Sequence, residues 1–196
     1  MQHTKIEIMQ RIIEVAKEEF LENGFEKTSI RKITEKAKIS KSNLYNYFQD
    51  KDRLFYAVVE PTLKKIHQGL NLAKIEASKG VDLYSETVQK QNASIVITFV
   101  FNHLKDVQLL LFKAQGSSLA NFKYQLVDCF SAILYDWVKI NAPNKGITLF
   151  FVRSIADYYL SIIEQTVVAG ISKEEVEKHL DTYIKFIYNG WKGILY

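Results

Sequence analysis

Apolar residues recur along this chain with the period of an α-helix almost throughout. Met9, Ile12, Ile13, Ala16 and Phe20 share one helical face. Asn23-Gly24 stops that helix, because glycine accepts the left-handed turn that follows a helix C-terminus. Thr28-Ser29 offers the next N-cap, and Ile30, Ile33 and Ala37 set a short second helix against the first. Ser40 offers another cap only a few residues on, with Leu44 and Phe48 as the inner edge of a third helix. Asp50 caps a fourth, which buries Leu54, Phe55 and Val58. Closely spaced helices, the second and third joined by a very short turn, describe a helix-turn-helix unit.

The remaining chain continues in helices. Pro61 removes a backbone donor inside the fourth helix and predicts a kink or break near residues 57–60. Lys79-Gly80 reads as a loop, and Ser85 to Lys113 as one or two helices with Ile95, Phe99 and Leu110 buried. A short loop at Gly116-Ser117-Ser118 precedes a helix from Phe122 to Ile140, and residues 141–146 form the clearest linker. From Ile147 to Ala169 the only charges are Arg153, Asp157 and Glu164, and apolar residues point all round, so this helix is buried on more than one side. Gly170 ends it, and Ser172-Lys173-Glu174-Glu175 is a capping box for the last helix, whose stripe includes Tyr183, Ile187 and Trp191. Two such helices predict a two-fold, four-helix homodimer interface, with Phe151, Ile155, Tyr159, Ile162, Tyr183, Ile187 and Trp191 as its candidates. The alternative is that they cover the core of a single subunit. The predicted fold class is all-α.

Composition narrows the function. A 196-residue chain allows one domain or two small ones, and 47% hydrophobic with 24% charged residues is a globular balance. The single cysteine, Cys129, excludes an intrachain disulfide framework and fits a reducing, cytoplasmic compartment; it is expected as inert packing on its helix's inner face. No apolar signal core opens the sequence, and no run is long enough to span a membrane. Net charge is only +4, but six bases lie between Lys27 and Lys41 against one acid, Glu35, a local charge of +5. Such a patch suits nucleic acid, while a solvated lysine-rich helix face is the bland alternative. There is no glycine-rich phosphate loop, no paired cysteine and no metal-ligand spacing; Glu175 and His179 stand alone. Catalytic residues, a metal and a cofactor are therefore not expected.

The N-terminal residues resemble the TetR family of bacterial transcriptional regulators. The resemblance runs through Ala16, Phe20, Gly24, Phe25, Thr28, Ile30, Ile33, Ala37, Ile39, Ser40, Leu44, Tyr45, Tyr47, Phe48, Lys51 and Leu54. It covers about a quarter of the chain; the rest is similar only in character. Two residues depart from the family pattern. Thr34 stands where alanine is usual, and Lys38 stands in the turn where glycine is usual. The resemblance implies a helix-turn-helix DNA-binding domain over residues 1–50. It also implies a helical effector-binding and dimerisation domain over residues 51–196.

The third helix is expected in the major groove, with phosphate near its start at Ser40 and Lys41. Lys41, Ser42, Asn43, Asn46 and Tyr47 are not needed for the core around Leu44 and Phe48 and are free to face DNA. Lys41 can reach guanine or a phosphate, and Asn43 or Asn46 can pair with adenine; capping is an equal alternative for Asn43. The family implies phosphate contacts for Tyr45, Tyr47, Lys51 and Thr28, with packing as the alternative for the two tyrosines. Arg31 faces outward on the second helix. A dimer reads two half-sites about 34–36 Å apart, so the expected partner is double-stranded DNA with an inverted repeat. The resemblance further implies an unidentified small-molecule effector that releases a repressor, with Pro61 as a hinge. Candidate pocket residues are Phe99, His103, Phe112, Phe122, Trp137, Phe150 and Tyr158, though buried aromatics are more often core. An effector-independent, chromosome-organising protein on the same fold is the alternative function.

Overall fold

The computed structural model describes residues 4–79 and 85–195. Gly80 and the opening residues Met1 to His3, discussed above from the sequence, lie outside the described residues. No strand occurs among the described residues. The helices are α1 (Lys5–Lys27), α2 (Ile30–Lys36), α3 (Lys41–Tyr45), α4 (Lys51–Ser78), α5 (Glu86–Asn102), α6 (Leu104–Gln108), α7 (Phe122–Asn141), α8 (Leu149–Ala169) and α9 (Lys173–Leu195). A π-helical turn, Leu109–Lys113, follows α6 directly.

The chain forms two compact units that do not follow chain order. One comprises Met1–Ile66 with Lys105–Lys123, and the other His67–Leu104 with Tyr124–Tyr196. Helix α4 contributes its first part to one unit and its remainder to the other. It runs through Pro61 without the break its sequence predicts. Pro61 is exposed, so the Ala57 carbonyl that loses its donor can turn to water.

The first unit is organised by helix ends. Thr4 and Glu7 close a reciprocal capping box at the start of α1: the Glu7 amide donates to Thr4 Oγ1 at 3.2 Å and the Thr4 amide to Glu7 Oε2 at 2.9 Å. Gly24, at φ +74°, interrupts α1, which resumes for one turn to Lys27. Around this bend Phe20, Phe25 and Phe55 form a ring cluster, with Phe20–Phe55 and Phe25–Phe55 edge-on at 5.0 and 5.3 Å. Ile12, Ala16, Ile33, Leu44 and Leu54 complete a fully buried core. One buried carboxylate ties the later segment in. Asp106 of α6 accepts a 2.6 Å bond from Thr62 of α4, and Lys17 Nζ of α1 lies 2.5 Å from its other oxygen. That second contact is a close ion pair out of hydrogen-bond alignment.

The second unit is a helical bundle around Trp137, Val138, Val152, Trp191 and Leu195. Thr148 caps α8 by accepting from the Phe151 amide at 3.2 Å, and Gly170, at φ +63°, ends it. Ser172 caps α9 through the Glu175 amide at 3.2 Å. Helix α5 packs along α9, and Lys90 bridges Glu86 and Asp181 at 3.1 and 3.2 Å. Three positions differ from expectation, one of them Phe99, which is half-buried. Ile95 is exposed, and Cys129 is exposed rather than packed inside. No single helix among the described residues is long and apolar enough to cross a membrane.

Candidate nucleic-acid interface

The interface is built on a helix of little more than one turn. Leu44, fully buried, and Phe48, 7% exposed, anchor α3 and the turn after it. Regular helix ends at Tyr45; the amides of Tyr47 and Phe48 both donate to the Leu44 carbonyl, at 2.9 and 3.0 Å, so Asn46 and Tyr47 sit in a tight turn. The anchored side leaves the opposite side open. Ser40, Lys41, Ser42, Tyr45 and Asn46 are exposed, and Asn43 and Tyr47 are half-buried.

The cap is made by Ser40. Its Oγ accepts from the Asn43 amide at 3.1 Å and lies 3.0 Å from Ser42 Oγ. Asn43 thus takes part through its backbone, and its carboxamide has no hydrogen-bond partner among the described residues. Lys41 Nζ lies 5.9 Å from the centre of the Tyr45 ring, which holds a charge over an exposed aromatic face.

The turn between α2 and α3 has a defined hydrogen-bond pattern. The Lys38 amide donates to the Glu35 carbonyl at 3.2 Å and the Ile39 amide to the Thr34 carbonyl at 3.1 Å. This pair of bonds is a Schellman C-cap, which needs a left-handed residue at Lys38. Lys38 has φ +54° and is the one non-glycine residue with positive φ among those described. A side chain in that conformation costs roughly 1–2 kcal/mol.

Charges around this surface are only partly neutralised. Arg31 Nε donates to Glu35 Oε1 at 2.8 Å, and both side chains are exposed. Its pKa is raised by that hydrogen bond and by the carboxylate's charge. Lys36 pairs with the buried Glu19 of α1, whose hydrogen bond and charge raise the lysine's pKa. Lys27, Lys32, Lys38 and Lys41 form no ion pair among the described residues.

Two residues implied as phosphate contacts are engaged elsewhere. Thr28 is buried, 4% exposed, with its hydroxyl 2.7 Å from the Gly24 carbonyl and 3.0 Å from the Glu19 carbonyl. Both oxygens belong to the end of α1. Lys51 lies with Nζ 4.4 Å from the centre of the Phe25 ring. It donates to the carbonyls of Phe25, Glu26 and Thr28, at 2.8, 3.2 and 3.2 Å. Three carbonyls match the three protons of an ammonium group. Lys51 is therefore a strut between the start of α4 and the end of α1.

The pocket and dimer candidates are distributed differently from their sequence assignment. Phe112 and Phe122 fall in the first unit and the other five pocket candidates in the second. Phe99 and His103 are neighbours, ring centres 4.9 Å apart, and Trp137 is in the core of the second unit. Phe150 is 81% exposed and Tyr158 is exposed, with the Tyr158 ring 6.2 Å from the exposed Phe186. Of the dimer candidates, Trp191 is buried in its own unit, and Phe151, Ile155, Tyr159 and Ile187 pack against that same core. Ile162 is half-buried and Tyr183 exposed. The exposed apolar face of α8 and α9 is therefore marked by Phe150, Tyr158, Tyr183 and Phe186. A helix apolar on all sides gives no signal for which side is which. Burial raises the Tyr159 hydroxyl to about 12 against a weaker opposing bond from Trp191.

Residues 12–58 match the family model described as bacterial regulatory proteins, tetR family. An uncharacterised HTH-type transcriptional regulator of Bacillus subtilis is 28% identical over 75 residues. That match takes in 38% of this chain and 19% of the relative's length. Among solved structures, a Clostridium perfringens protein assigned as a fatty acid metabolism regulator aligns with a TM-score of 0.66 at 19% identity, over 92% of this chain and 97% of the other. The Bacillus subtilis transcriptional regulator FadR, in complex with stearoyl-CoA, aligns with a TM-score of 0.60 at 14% identity, over 92% and 98%. At these identities the structural likeness establishes a shared fold.

Proposed function

Because the chain carries the N-terminal domain of the TetR family of bacterial regulatory proteins, we propose that it is a dimeric, sequence-specific DNA-binding repressor that a small molecule releases from an inverted-repeat operator. The observation that carries this reading is the surface of α3 and its flanking turns. Leu44 and Phe48 hold the segment down, while Lys41, Ser42, Tyr45 and Asn46 stand exposed beside unpaired lysines. Groups of this kind supply both parts of DNA recognition, cations for phosphates and amides for base edges. Arg31, Ser40, Lys41, Ser42, Asn43, Tyr45, Asn46 and Tyr47 are assigned to contact. Thr28 and Lys51 act by fixing the ends of α1 and α4 that carry the reading segment.

The second unit supplies pairing and sensing in this proposal. Phe150, Tyr158, Tyr183 and Phe186 give it the aromatic surface a two-fold partner covers. Phe99 and His103 are the pocket candidates that the fold keeps adjacent. An effector with a long apolar part is the first class to try, since a protein of this fold is seen with stearoyl-CoA. The experiment is selection of bound sequences from random duplex DNA at fixed salt, followed by release of the selected duplex. One inverted-repeat motif, displaced by stearoyl-CoA and not by free CoA, is expected. Binding with no enriched motif overturns the specific-regulator reading. A motif that no tested small molecule displaces leaves a DNA reader without this effector class.

A further inference from the structure

We propose that Lys38 is a phosphate-contacting residue, a lysine kept where the backbone favours glycine because its charge serves DNA binding. The proposal rests on the DNA-binding reading above and adds to it a residue outside the contacts assigned there.

The first observation is the backbone. The two bonds from the Lys38 and Ile39 amides, to Glu35 and Thr34, fix a sharp exit from α2 and require a left-handed residue at 38. Glycine fills that position without strain, and asparagine fills it at little cost, whereas lysine carries a Cβ and a long side chain into it. A strained conformation persists when the surroundings impose it, and such residues gather at functional sites.

The second observation is that nothing inside the molecule uses the lysine side chain. Lys38 is exposed, and no hydrogen bond, ion pair or ring contact involves its side chain among the described residues. Glu35, the one acid between Lys27 and Lys41, is already bound by Arg31 at 2.8 Å. The cap rewards the left-handed backbone, which glycine would supply without strain, but the lysine side chain itself gains nothing in the folded protein alone.

The third observation is place. Lys38 is two residues from the Ser40 cap and three from Lys41. It sits in the turn that joins α2 to α3. A flexible ammonium there serves as a point charge for a phosphate oxygen, which requires no fixed geometry of its own. It adds affinity for all sequences and reads none of them.

The test uses the full chain and three variants, Lys38→Gly, Lys38→Asn and Lys38→Arg, with one selected duplex and one random duplex over a salt series. Lys38→Gly and Lys38→Asn are expected to raise the midpoint of urea unfolding while weakening both duplexes several-fold. Each should make the slope of log K against log salt shallower by about 0.9 for each bound protomer. Lys38→Arg should restore the slope. If the glycine variant binds with the wild-type slope, the phosphate role is overturned while DNA binding stands. If it unfolds at lower urea, the lysine is serving the C-terminus of α2 instead, and the proposal again fails. Wild-type protein that binds neither duplex fails the underlying DNA-binding reading, which separates that outcome from the other two.

Discussion

The core around the bend at Gly24 and the surface of α8 and α9 treat their phenylalanines in opposite ways, while Phe112, also of the first unit, is 39% exposed. In the first, Phe20, Phe25, Phe48 and Phe55 are at most 7% exposed and close a core around the bend at Gly24. In the second, Phe150 and Phe186 stand 81% and 69% exposed on neighbouring helices. A core that buries its rings leaves charges and amides at the surface, polar groups on a fixed frame. A unit that leaves large rings in water presents a surface suited to another molecule. On the proposed function, the contrast separates a reading head from a surface for association.

That contrast can be broken first at Phe20. Phe20→Ala removes a fully buried ring from the three-ring cluster and should cost about 3–5 kcal/mol in urea unfolding. A loss under 1 kcal/mol would show that the cluster is not the core it appears by geometry. The counterpart in the other unit is Phe186→Ser. Stability of the protomer should change by no more than about 0.5 kcal/mol, whereas self-association should weaken by about 2 kcal/mol, roughly thirty-fold. Sedimentation at falling concentration reads that shift, and an unchanged dimer would remove Phe186 from the interface.

Lys51 sharpens the comparison within the first unit. Loss of its three carbonyl contacts in Lys51→Ala should cost about 1–2 kcal/mol of stability and leave the salt slope of DNA binding as it was. A slope shallower by about one per protomer would return Lys51 to the phosphate contacts. The last effect, confined to alkaline pH, lies at Tyr159. Its folded pKa of about 12 exceeds the ordinary value of 10.0, so the folded state holds its proton longer than the unfolded state. The associated stability is fully present below pH 10 and is lost as pH rises toward 12, by up to about 1.4 kcal/mol per pH unit. Tyr159→Phe should flatten that alkaline decline in a pH series of unfolding curves.

The reading head was more legible from the sequence than the second unit. Gly24, Ser40 and the Leu44–Phe48 pair act within a few residues of themselves, and each was visible as a cap, a stop or a spacing. The positive φ of Lys38 follows from the same local logic, since a short turn between two helices demands it. The capping box at Thr4 and Glu7 was equally local, and its Thr-x-x-Glu spacing was the signal that could have located the true start of α1. Pro61 gave a local signal too, yet the exposed side of α4 absorbs it without a break.

What the sequence determined by itself is therefore the set of helices, their ends, and the basic segment between Lys27 and Lys41. These depend on propensity, capping and charge, which operate over one or two turns. The tertiary structure alone decided which side of α8 faces inward, placing Phe151, Ile155 and Tyr159 against Trp191's core and leaving Phe150 and Tyr158 outside. It alone gave the Thr28 hydroxyl to the end of α1 and the Lys51 ammonium to three carbonyls some 23 to 26 residues away. A side chain's partner across such separations is fixed by how helices pack, and a helix apolar all round carries no periodic mark of the side that packing will choose.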